Sequence, residues 1–94
     1  MFSCSRYETK AGNAPDAYGA AITFTNPSRI LEVTIWDQPA VLSLSYDGVT
    51  FGNDIEKDPG AEGFPYQIFY QCKAFKIKNK VAGNVARYQV IGWS

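Results

Sequence analysis

The chain has 94 residues, 46% of them apolar and 15% aromatic, enough for one hydrophobic core and too few for a second independent domain. Nine Lys and Arg balance nine Asp and Glu, so the overall positive charge of a nucleic-acid or anionic-membrane binder is missing and neither partner is expected. Histidine is absent, which excludes Ser-His-Asp and Cys-His catalysis and any His-based metal site.

Residues 1–18 contain few periodic apolar residues and end in GNAPDAYG, a composition that predicts an extended N-terminal arm preceding a β domain over 19–94. Phe2 and Tyr7 are its aromatic residues best suited to anchor it on a neighbouring subunit. A first strand that simply extends the sandwich is the competing reading. The polar, charged start after Met1 contains no secretory or transmembrane run, so the chain is expected to stay in the cytoplasm unless it leaves with an assembly.

From Ala20 the pattern alternates. AITFT predicts a strand, Asn26-Pro27-Ser28 a turn, and RILEVTIW a second strand with Leu31, Val33 and Ile35 on one face and Ile30, Glu32, Thr34 and Trp36 on the other. Asp37-Gln38-Pro39 ends that strand. A third occupies 40–46, and Asp47-Gly48 predicts a two-residue hairpin turn leading to a short strand at 49–51. Asp58-Pro59-Gly60 marks a turn within the loop 52–63. The segments FPYQIFYQ, KAFKIK and VARYQVIGW complete the set. Because no 3.6-residue periodicity persists, the fold class is all-β: an antiparallel β-sandwich of seven to eight short strands, jelly-roll or immunoglobulin-like.

Three clusters have both functional and plain structural readings. Asp47, Asp54, Glu56, Asp58 and Glu62 crowd one segment, but their spacing matches no calcium loop, and a solvated acidic loop explains them. No metal or cofactor site is therefore assigned. Lys76, Lys78 and Lys80, within a basic run from Lys73 to Arg87, fall on one strand face, where they serve solubility or contact an acidic partner. Phe64, Tyr66, Ile68 and Tyr70 form an aromatic stripe that reads as core, as an interface or as a sugar platform; Trp36 and Trp93 are read in the same way. Cys4 and Cys72 are too far apart for a metal knuckle or redox motif and are expected to be free thiols. Carboxylate-only catalysis of the glycosidase kind is the remaining enzymatic possibility. In so small a chain the reading is that it is not an enzyme.

The order FTNPSRILEV, LSLSYDGVTF, DPG, FKIKNK and ARYQVIGW resembles small β-sandwich virion proteins of tailed bacteriophages. The resemblance covers residues 20–93 and leaves the N-terminal segment outside. It implies a capsid decoration (cement) or head-fibre protein that binds and stabilises a capsid lattice. Its partners would be the major capsid protein or other virion subunits, in a homo-oligomer such as a trimer, with no catalytic residue and no cofactor. Phe2, Tyr7, Lys76, Lys78 and Lys80 are the partner-binding residues this reading favours. A carbohydrate-binding β-sandwich module and a tail or fibre component are the alternatives.

Overall fold

A computed structural model of the chain describes residues 6–59 and 66–94. The described backbone is all-β, with strands β1 (Tyr7–Asn13), β2 (Ile22–Trp36), β3 (Ala40–Ser45), β4 (Ile55–Lys57), β5 (Tyr66–Asn79) and β6 (Arg87–Trp93). All pairings are antiparallel, in the order β1-β6-β2-β5-β3-β4. The sheet bends over on itself to form the two layers of a sandwich, because β2 and β5 are long enough to belong to both. One layer holds β1, β6, the second half of β2 and the first half of β5. The other holds the first half of β2, the second half of β5, β3 and β4.

The bend lies at Asn26-Pro27-Ser28, where the sequence pattern predicts a turn between two strands. The structure has instead a bulge inside one strand: β2 advances five residues, Thr23 to Ser28, while β5 moves back two, Ala74 to Cys72. Such a bulge kinks a strand without ending it and accepts Pro27, which has no N–H to give to the ladder. The backbone groups it displaces find side-chain partners. Asn26 N donates to Glu8 Oε1 (3.2 Å), Lys73 Nζ to the Thr25 carbonyl (3.3 Å), and Ser28 Oγ to the Cys72 carbonyl (3.1 Å). The predicted short strands on either side of each kink thereby merge into strands of 15 and 14 residues.

Alternation then places the core. Leu31, Val33 and Ile35 of β2 and Tyr88 and Val90 of β6 point inward from one layer; Phe24, Leu42, Leu44, Phe75 and Ile77 meet them from the other. The Phe75 ring lies 5.7 Å from that of Phe24 and meets Tyr88 edge-on at 6.3 Å, spacings at which aromatic pairs attract. Phe24 also lies against Gly92, where any Cβ would come within 2.8 Å of the ring. Cys72 is a free, fully buried thiol that donates to the Ala74 carbonyl, and burial raises its pKa.

Residues 7–13, assigned by pattern to an arm, form an edge strand paired along its length with β6. Apolar alternation does not reveal it because its core-facing positions, Glu8, Lys10 and Gly12, lie past the rim of the core. Backbone pairing supplies the order that side-chain burial does not. Phe2 lies outside the described residues.

The Asp47-Gly48 pair likewise differs from expectation. The connection runs over five residues, Tyr46 to Thr50, and closes at a bridge between Ser45 and Phe51. Gly48 has φ +86°, as a glycine in a tight loop should, but Asp47 acts through its side chain. Its Oδ1 accepts from Val49 N and Thr50 N at 2.8 Å each, an Asx arrangement that replaces the primed turn. The chain at Thr50–Gly52 passes over Ser43 and Ser45, which are buried, as is Val41, on the face of β3 away from the core. Ser43 Oγ donates to the Gly52 carbonyl (2.9 Å) and Ser45 Oγ to that of Thr50 (2.7 Å).

Candidate interface

β-strand register brings together residues that are distant in sequence. On the outer face of the first layer, Tyr7 of β1 stands beside Trp93 of β6, and Trp93 beside Ile30 of β2. The next row is Thr9, Ile91 and Glu32, then Ala11, Gln89 and Thr34, and the last is Asn13, Arg87 and Trp36. One end of the face is therefore wholly apolar, and the other rows mix polar residues with Ile91, Ala11 and Trp36. Tyr7 is 63% exposed, and its ring lies 5.1 Å from that of Trp93 at an interplanar angle of 41°. Two rings so inclined present a ridged apolar surface, unlike the flat platform on which a pyranose stacks.

At the opposite end the Arg87 guanidinium lies over the Trp36 ring, 5.2 Å from its centroid, and its Nε donates to Asp37 Oδ2 at 2.7 Å. Asp37 has φ +74° and centres a three-residue turn in which Gln38 N donates to the Trp36 carbonyl. This turn, which ends β2, keeps the carboxylate where the guanidinium of the neighbouring strand reaches it. Arg87 in turn covers one face of Trp36, taking it out of contention as a stacking platform.

The structure brings Lys76, Lys78 and Lys80 to one face of β5 and its extension, as alternation predicts, and gives each an intrachain partner. Lys76 Nζ lies 4.4 Å from the Phe51 centroid and Lys78 Nζ 4.7 Å from that of Tyr18. Lys80 pairs with Glu56 at 3.2 Å. These contacts hold Tyr18, Phe51 and the acidic segment at Glu56 against the sheet, each cation–aromatic contact worth about 0.5–1 kcal/mol. The acidic residues are dispersed rather than convergent: Asp54 Oδ1 accepts from Tyr18 Oη at 2.8 Å, and Glu56 is the Lys80 partner. That hydrogen bond and the burial of the Tyr18 ring push the phenol pKa upward, burial being the larger cause.

An open apolar cleft of about 250 Å³ lies between the layers, lined by Leu44, Gly52, Asn53, Ile55 and Ile68. Tyr66 and Ile68 of the aromatic stripe pack against the core; Phe64 lies outside the described residues. The Tyr7–Trp93–Ile30 row was the feature hardest to read in sequence. Alternation in RYQVIGW sets Arg87, Gln89, Ile91 and Trp93 opposite Tyr88 and Val90, the one signal that separates Trp93 from the core. No protein-family model matches the chain, and no curated protein matches it significantly.

Proposed function

We propose that the chain is a structural component of an assembly, a decoration or fibre-type subunit of the kind its resemblance to bacteriophage virion proteins implies, docking through the outer face that carries Tyr7. The observation that supports this reading is the row Tyr7, Trp93 and Ile30, held rigid across three hydrogen-bonded strands, with Tyr7 63% exposed. Aromatic residues on a preorganised surface lose little entropy on docking and dominate interface energies. Ile91 in the next row extends the apolar surface, and polar Thr9 and Glu32 beside it, with Gln89 and Thr34 one row further, form the rim of such a contact on that side. Repetition on a lattice makes many modest contacts act together. Lys76, Lys78 and Lys80 take a secondary part, since their head groups already serve intrachain contacts.

The experiment is to purify particles from the natural source and measure the chain within them by quantitative mass spectrometry, then to add purified wild-type and Tyr7→Ala protein to particles stripped of it. Stoichiometric presence, with loss of rebinding in the variant, supports the reading. A chain found only free in solution, or an unaffected variant, contradicts it. Binding to a soluble glycan panel with particles absent would favour the carbohydrate-binding alternative.

A further inference from the structure

β1 is the last strand of its layer, and its outer edge has no partner strand among the described residues. The parity of its ladder is fixed by the flanking bonds. Arg6 and Ser94 exchange both backbone hydrogen bonds (3.2 and 2.9 Å), and Ala14 N donates to the Ala86 carbonyl (2.8 Å). The even-numbered residues between them, Glu8, Lys10 and Gly12, therefore bond to β6. Tyr7, Thr9, Ala11 and Asn13 direct their N–H and C=O groups away from the sheet. All four are exposed.

We infer that this edge pairs with the same edge of a second copy, antiparallel about a twofold axis through Thr9, to make one continuous sheet across two chains. Side-chain charge selects the register. An axis through Glu8 would set Glu8 against Glu8, and one through Lys10 would set Lys10 against Lys10; an axis through Ala11 would leave both charges without an opposite. Only the axis through Thr9 places Glu8 of each chain opposite Lys10 of the other, twice, in non-hydrogen-bonded positions, where side chains approach closest. It also sets Thr9 against Thr9 and each Tyr7 against the small Ala11, leaving room for the Tyr7 ring on the outer face. Glu8 and Lys10 already lie side by side within one chain, 3.6 Å apart, and Glu8 is oriented by Asn26 N. Inward-pointing charges on an edge strand ordinarily oppose pairing; here they repel in the registers centred on Glu8 and on Lys10 and attract in the one centred on Thr9, whereas an axis through Tyr7, which would set Glu8 against Arg6, leaves only Tyr7 of β1 paired within the strand. The contact uses the strand edge and not the aromatic face, so its failure would leave the proposed docking role standing.

Sedimentation equilibrium at low salt tests the pairing. Wild type is expected at twice the chain mass of 10.4 kDa, with the dimer weakened by added salt. Thr9→Pro removes an outward N–H that β6 does not use and should give a monomer whose melting temperature is nearly that of the wild-type monomer. Lys10→Glu and Glu8→Lys should each dimerise about tenfold or more less tightly than wild type, since two attractive pairs become repulsive. Mixed together, the two variants should form a heterodimer, because each Glu then meets a Lys. A wild-type monomer at every concentration, a trimer, a Thr9→Pro dimer as tight as wild type, or a mixture that stays monomeric would overturn the inference.

Discussion

Replacing Gly92 by Ala tests the packing between layers at its tightest point. A Cβ there would lie 2.8, 3.0 and 3.1 Å from Cε1, Cζ and Cδ1 of Phe24. Neither side can retreat easily. Gly92 is flanked in the ladder by Glu8 and Leu31, and Phe24 is 1% exposed with Phe75 behind it. Overpacking of this kind costs roughly 1–3 kcal/mol, and the reduced freedom of the unfolded chain returns a fraction of that, leaving a net loss of roughly 1–2 kcal/mol. For a domain of this size that lowers Tm by roughly 5–15 °C. Urea denaturation should show a lower midpoint at unchanged slope. In a Phe24→Leu background the same substitution should cost much less, since the shorter side chain gives the methyl room. An unchanged midpoint for Gly92→Ala, or an equal cost in both backgrounds, would refute the contact.

Three further outcomes follow from the loops. Gly48→Val should destabilise by about 1–2 kcal/mol in urea titration, because a β-branched residue is strained at φ +86° and its Cβ would meet Lys73 Cγ at 3.3 Å. Asn79 is 2% exposed; its Nδ2 donates to Asp16 Oδ1, its Oδ1 accepts from Ala86 N, and its N donates to the Pro15 carbonyl. Asn79→Ala should therefore cost about 2 kcal/mol by leaving the buried Ala86 N–H unpaired, measured in the same titration. Asp47 and Asp16 have pKa values below the ordinary 3.8, chiefly through the backbone N–H of Thr50 and Val49 for the former and of Gly83 for the latter. A depressed folded value means that the stability they contribute is complete above the unfolded value and lost as pH falls through the folded one. Asp47→Asn with Asp16→Asn should flatten the fall in Tm below about pH 4.

Much of the layer structure was legible from period-two alternation. Leu31, Val33 and Ile35 face the core as read, opposite Ile30, Glu32, Thr34 and Trp36, and Phe75 and Ile77 face it opposite Lys76 and Lys78. Turn chemistry was less informative, because the same residues serve bulges and loops. Asn26-Pro27-Ser28 has the composition of a turn, but Glu8, distant in sequence, satisfies its exposed N–H and lets the strand continue. Asp47-Gly48 has the signature of a primed turn, yet Ser45 and the carboxylate of Asp47 stabilise a longer loop. β1 was read only as the competing alternative to an arm, because an edge strand beyond the core needs no apolar face. Tyr7 was recognisable as a candidate contact, whereas its neighbours Trp93 and Ile30 depend on a register that no local pattern encodes.

The most direct test of the assembly role is an electron cryomicroscopy map of particles bearing the chain, at a resolution that shows strands and large side chains. The docking account predicts that the face carrying Tyr7, Trp93 and Ile30 lies buried against a neighbouring subunit, with Lys76 and Lys78 on the opposite layer away from it. A map in which that face points to solvent while another surface makes the contact would contradict the account.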